Sequence, residues 1–139
     1  CTLKFLGEVD NSRAPIIIEK LRQISFAPIH VKFDKVGAFP SEHSIRVVWI
    51  GLIPRDQICA LQQQIDDALK GMFEEEERFF PHVTLGRVKS VRGKESLLQV
   101  LHKLTVLPVE FQVDEFLLMK SELQRSGPVY TAVERFAAD

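Results

Sequence analysis

The segment Pro81-His82-Val83-Thr84-Leu85 sets an imidazole and a hydroxyl two residues apart in a run with the composition of a strand. Successive strand side chains point to opposite faces, so His82 and Thr84 share one side and Val83 and Leu85 the other. The apolar pair is expected to lie against helices. The polar pair would bring both groups within reach of one small anion, and an imidazole can take or give a proton near neutral pH. A lone His-x-Thr also arises by chance, with a buried structural histidine as the ordinary alternative.

The start of the chain repeats half of this pattern. Aligning Thr84-Leu85 with Thr2-Leu3, 82 positions earlier, sets Val83 against Cys1. His82 then corresponds to the position just ahead of Cys1. The chain opens on Cys rather than Met, and we expect an upstream piece carrying a first His. By symmetry with the second copy that piece holds a helix and its own strand, on the order of twenty residues or more at average element lengths.

The elements that must position these residues are legible from periodicity. Residues 2–9 read as a strand, Asp10-Asn11-Ser12 as a turn and helix cap, and 14–24 as a helix with Ile17, Leu21 and Ile24 on one stripe. A loosely alternating stretch from Pro28 ends in a turn-like Gly37-Ala38-Phe39-Pro40, and a strand at 45–52 follows. Ile58, Leu61, Ile65, Leu69 and Met72 mark a helix over 54–72, with Pro54 suited to its first turn. Glu74 to Glu77 is a solvated charge run. A strand at 81–89, a helix at 94–104 with Leu97, Leu98, Leu101 and Leu104 inward, and strands at 109–120 and 128–136 complete the chain. The last two are joined by Gln124-Arg125-Ser126-Gly127-Pro128. Strand–helix–strand–strand thus occurs twice. The expectation is one α+β domain over 1–139 with two pseudo-symmetric lobes, about 1–53 and 54–139.

Composition sets the outer bounds. The 139 residues are 45% hydrophobic and 27% charged, as in one ordinary soluble domain. Eighteen basic against nineteen acidic residues give a net charge of −1. That balance excludes a diffuse cationic surface for duplex nucleic acid but leaves a single phosphate or an RNA end open. No apolar run approaches the ~18 residues of a membrane span. Cys1 and Cys59 make no disulfide framework and read as free thiols of a cytoplasmic protein. No cluster has zinc-like spacing and no glycine-rich loop is present, so neither a metal nor a nucleotide cofactor is expected. His30, His43 and His102 lack partners at catalytic spacing and are expected to be structural or solvated.

Thr2-Leu3-Lys4-Phe5-Leu6-Gly7 and Phe80-Pro81-His82-Val83-Thr84-Leu85-Gly86-Arg87 resemble the two signature segments of the two-histidine phosphoesterases. The branch most similar is the RNA 2′,3′-cyclic phosphodiesterases, historically called 2′-5′ RNA ligases. Gly37 to Pro40, Arg46 to Trp49 and Tyr130 to Phe136 extend the resemblance over essentially the whole chain. It implies two lobes, each an antiparallel sheet with helices on its outer side, around a central cleft faced by one His-x-Thr from each lobe. His82 and Thr84 carry over as catalytic residues, and Thr2 as the hydroxyl of the first motif. The first His has no counterpart in this chain.

The implied reaction is metal-independent. One imidazole takes a proton from water attacking phosphorus, the other protonates the departing ribose oxygen, and the Thr2 and Thr84 hydroxyls hold non-bridging oxygens. The expected product is a 2′-phosphomonoester, with 2′-5′ ligation as the reverse. Substrate-binding candidates follow from alternation. Lys4 lies on the Thr2 face, against a solvent-facing alternative. Arg87 counts onto the Val83/Leu85 face, leaving it a rim position unless the strand bends at Gly86. Phe80 could stack on a terminal base, against core packing, and Tyr130 could bring a hydroxyl to the cleft, against an ordinary strand aromatic. The expected partners are RNA ends or nucleotides bearing a 2′,3′-cyclic phosphate, bound by a monomer. Small cyclic nucleotides or 2′-5′ oligonucleotides are alternative substrates. A binding module that holds phosphorylated RNA ends without turnover is the reading from another class, distinguished by whether the residue ahead of Cys1 can transfer a proton.

Overall fold

A computed structural model describes residues 1–90 and 92–139. At the start of the first helical region the Asp10 carboxylate accepts a 2.8 Å hydrogen bond from the Ser12 amide and caps a 3-10 turn at Asn11–Arg13. Helix α1 (Ala14–Leu21) continues from it with a proline in its first turn and buries Ile17 and Leu21, four residues apart on one stripe.

Strands β1 (Ile29–Ser41) and β2 (Ser44–Ile53) form an antiparallel hairpin closed at Ser41–Ser44. The turn expected over Gly37 to Pro40 is therefore not made; those residues continue β1, and the chain reverses at Glu42-His43. The reason lies across the ladder. Gly37 faces Trp49, whose indole lies where a Cβ at position 37 would be, so the glycine serves a close approach rather than a bend.

Helix α2 (Arg55–Ala68) buries Ile58, Leu61 and Ile65 and is capped by the buried Leu69. It ends one turn earlier than Met72, and Gly71 at φ +78° carries the chain away in a conformation that suits glycine. Pro54 is the extended residue before the helix, not part of its first turn. Strand β3 (His82–Arg87), helix α3 (Lys94–Lys103), β4 (Glu110–Val113), β5 (Glu115–Gln124) and β6 (Gly127–Ala137) follow. On α3, Leu97, Leu98 and Leu101 are half-buried, whereas Leu104 lies beyond the helix end and is exposed.

The strands make a four-stranded antiparallel sheet in the order β3-β2-β1-β4 and a two-stranded sheet β5-β6. The α+β class and its antiparallel sheets stand as expected. The division at 53/54, however, does not separate the sheets, because β1 and β2 pair with β4 and β3 from the second half. The single strand expected over 109–120 is two strands, since the chain leaves β1 at Val113 and pairs with β6 from Glu115 on. Residues 2–9 form no strand. Their backbone finds no ladder partner among the described residues, and they are held instead by Leu3, Leu6 and Val9 packing on the core. That core is one cluster in which Ile17, Val31, Leu52, Leu61, Phe116 and Phe136 meet from α1, both sheets and α2. It fixes the rear of β3, where Val83 packs against it. Among the described residues no helix is long and apolar enough to cross a membrane.

Candidate active site

His82 opens β3 at the edge of the four-stranded sheet, opposite Gly51. The strand enters rigidly. Pro81 is fully buried, and its carbonyl accepts a 3.1 Å hydrogen bond from the Leu52 amide. The His82 ring is half-buried, and its Nδ1 lies 2.7 Å from the Phe80 carbonyl oxygen. A carbonyl only accepts, so Nδ1 carries the proton of this bond and Nε2 is the nitrogen left for chemistry. Aromatic rings hold the imidazole on its other sides. Phe39 meets it edge-on at 5.0 Å and 88°, Phe80 stacks at 6.3 Å, and Trp49 stands 6.4 Å away.

Thr84 is exposed and faces Trp49 across the ladder. The next pair is Gly86 with Val48, so Leu85 is the extra residue of a β-bulge. Leu85 was expected against helices and is instead 56% exposed. The bulge changes what alternation predicts for Arg87. Arg87 pairs with Val47, which shares the Trp49 face of β2, so the guanidinium joins His82 and Thr84 on one face rather than the Val83 face. An imidazole, a hydroxyl and a guanidinium thus project from one side of a six-residue strand.

Lys4 lies neither in solvent nor as a free cation. Its ammonium bonds the Asp66 carboxylate and donates a 2.5 Å hydrogen bond to the Glu74 carbonyl, with side-chain exposures of 6% for Lys4 and 3% for Asp66. Burial by itself would raise the Asp66 pKa, but hydrogen bonds from Lys4, the Glu76 amide and Gln62, with the Lys4 charge, hold it below the ordinary value of 3.8. Thr2, two residues before Lys4, is exposed. Phe80 is half-buried within the aromatic group, 4.8 Å from Trp49, with the Arg55 guanidinium over its ring at 4.7 Å. Tyr130 lies on β6 opposite Ser121, on the sheet face away from Phe116 and Phe136, and is 64% exposed. His30 and His102 pair with Glu110 at 3.0 Å and Glu42 at 2.9 Å.

The structure therefore puts His82, Thr84 and Arg87 on one face of β3, and ties Lys4 to the chain leading into His82. It leaves Tyr130 on the other sheet. Sequence reasoning missed Asp66 and Arg55. Asp66 had a signal: Gln62 and Asp66 sit at i and i+4 flanking the apolar stripe of α2, an unusual place for polar side chains. Arg55 had none, because its partners Phe80 and Asp34 (3.0 Å) are distant in sequence.

Comparison with known proteins identifies the family. Residues 1–125 match the family model of the 2′-5′ RNA ligase superfamily. A Methanocaldococcus jannaschii protein named RNA 2′,3′-cyclic phosphodiesterase is 34% identical over 137 residues, covering 97% of this chain and 78% of the relative. A Thermotoga maritima protein of the same name is 35% identical over 132 residues, 93% of this chain and 70% of the relative. The fold is similar to that of a Thermus thermophilus protein solved by crystallography (TM-score 0.79, 26% identity, 98% of this chain and 75% of that one). It is also similar to E. coli LigT complexed with 3′-AMP (TM-score 0.75, 27% identity, 99% and 75%). Matched in sequence over most of its length and in fold over nearly all of it, the chain belongs to the 2′-5′ RNA ligase superfamily of enzymes.

Proposed function

We propose that this protein hydrolyses the 2′,3′-cyclic phosphate at RNA ends to a 2′-phosphomonoester, with His82 as one of two proton-transfer groups. Water attacks phosphorus as one imidazole takes its proton. The bond from phosphorus to the ribose 3′ oxygen breaks, and that oxygen takes a proton from the other imidazole. The second imidazole is the one the resemblance places ahead of Cys1. Thr84 and Thr2 donate hydrogen bonds to the non-bridging oxygens, and Arg87 offers a paired donor set to the same phosphate. No step calls for a metal, and joining through a 2′-5′ linkage is the same displacement with the 5′ hydroxyl of a second RNA end attacking in place of water.

The observation that supports this reading best is the bulge at Leu85, which turns Arg87 to the face of β3 that carries His82 and Thr84. A lone histidine and hydroxyl suit many sites. A guanidinium on the same face adds the group best matched to a phosphate. The bond from His82 Nδ1 to the Phe80 carbonyl adds a fixed tautomer with Nε2 free.

The test is direct. The protein and its His82→Ala variant are incubated with a 2′,3′-cyclic-phosphate oligonucleotide in the presence of EDTA, and the position of the product phosphate is identified. A 2′-phosphate formed by the wild type and lost in the variant supports the reading. Activity that vanishes with chelation, or persists undiminished in His82→Ala, overturns it.

A further inference from the structure

Asp66 lies on α2, outside both signature segments; the first reaches it through Lys4, and the stretch that leads into the second reaches it through the Glu76 amide. Its carboxylate takes hydrogen bonds from three directions: the Lys4 ammonium, the Gln62 side-chain amide at 2.6 Å and the Glu76 backbone amide at 3.0 Å. Lys4 stands two residues after Thr2, and Glu76 six residues before His82. Lys4 also donates to the Glu74 carbonyl, so the 74–76 stretch is gripped at two backbone atoms. The side chains of Glu74 to Glu77 are solvated, as their charge suggested, but the backbone beneath them is fastened.

The energetics argue that this network serves geometry. A buried ion pair adds little stability over an apolar pair of similar size, because desolvation offsets most of the attraction. What it supplies is direction. Among the described residues, the two bonds of Lys4 are the only tertiary hydrogen bonds made by residues 1–9, which otherwise rest on apolar contacts. Apolar contacts let a segment slide, whereas charged hydrogen bonds at these lengths do not. From Glu76 the chain runs through the buried Pro81 directly into His82.

We infer that Asp66 is a positioning residue: it sets the separation between the segment carrying Thr2 and the segment carrying His82, and so the gap the phosphate must fit. This rests on the proposed phosphodiesterase reading. A displacement near 1 Å of one member of a catalytic pair can lower the rate about 10²-fold. Losing the tether should therefore act on kcat while KM stays near its wild-type value.

The experiment compares the wild type, Asp66→Asn, Lys4→Met and the double variant Lys4→Met/Asp66→Leu in three measurements. These are steady-state turnover of a 2′,3′-cyclic-phosphate oligonucleotide, melting temperature, and amide hydrogen exchange. Each single variant is expected to lose about 10- to 100-fold in kcat. Exchange of the Glu76 amide, which donates to Asp66, should quicken in Asp66→Asn and also in Lys4→Met, while β5–β6 is unchanged. The double variant, with an apolar pair, should recover melting temperature but not kcat. Lys4→Met leaves Asp66 bonded to Gln62 and Glu76, so it remains informative should Asp66→Asn unfold. Recovery of both melting temperature and kcat in the double variant would make the network merely structural and overturn the inference. So would exchange that does not change, or that rises uniformly. A wild type inactive on the oligonucleotide would sink the phosphodiesterase reading alone, with the exchange pattern still deciding whether Asp66 couples the two segments.

Discussion

Thr84 and Arg87 project from the same face of β3 although they stand three positions apart, because Leu85 is bulged out of the ladder between Trp49 and Val48. The arrangement predicts that Arg87 serves the same phosphate as Thr84. Arg87→Ala should lower kcat/KM by about 10- to 100-fold, in line with removing one preorganised donor set from a developing charge. Arg87→Lys should recover only part of it, since an ammonium cannot bond two phosphate oxygens in the planar fork of a guanidinium. Steady-state kinetics on a cyclic-phosphate oligonucleotide check this; a wild-type rate in Arg87→Ala would remove the residue from the site.

The 2.7 Å bond from His82 Nδ1 to the Phe80 carbonyl separates orientation from proton transfer. In His82→Asn an amide nitrogen can replace Nδ1 in that bond but nothing replaces Nε2. Both His82→Asn and His82→Ala should therefore lose about 10²- to 10⁴-fold in rate. Comparable losses assign the histidine a proton-transfer role. Near-normal activity in the asparagine variant would reduce it to a spacer.

The Trp49 indole fills the space that a side chain at Gly37 would need. Gly37→Ala puts a Cβ into the indole ring and should cost about 1–3 kcal/mol through overpacking. Trp49 is the sole tryptophan, so its fluorescence reports the displacement directly. We expect a lower unfolding midpoint with a shifted emission maximum, because the indole must leave its place beside Phe39 and His82. An unshifted spectrum at full stability would mean that the ladder accommodates the methyl group elsewhere.

Asp66 gives the stability a defined pH dependence. Its folded-state pKa lies below the ordinary 3.8 expected when unfolded. The unfolded chain therefore binds the proton more readily as pH falls, and the contribution of the carboxylate is complete above the unfolded value and lost as pH drops through the folded one. Acid unfolding followed by circular dichroism should show the wild type losing stability below about pH 4 more steeply than Asp66→Asn. Parallel curves would show that the carboxylate is no better held in the folded state than in water.

Much of this protein could be read along its chain. Local periodicity depends on the backbone geometry of one element, so it placed His82 with Thr84 on a strand face and Ile58, Leu61 and Ile65 on the inner stripe of α2. Where an element needs a partner, the local pattern stopped being informative. Residues 2–9 have strand composition but no ladder, and 109–120 reads as one strand-like run yet divides between two sheets.

What tertiary structure alone decided is the site's charge arrangement. The side on which Arg87 emerges depends on how β3 pairs with β2, since a bulge exists only relative to a neighbouring strand. The partner of Lys4 depends on bringing together residues 62 positions apart, which no window of local sequence encodes. Sequence carried the chemical groups and their faces wherever an element stays regular; pairing and packing between elements determined where that regularity breaks and which groups meet.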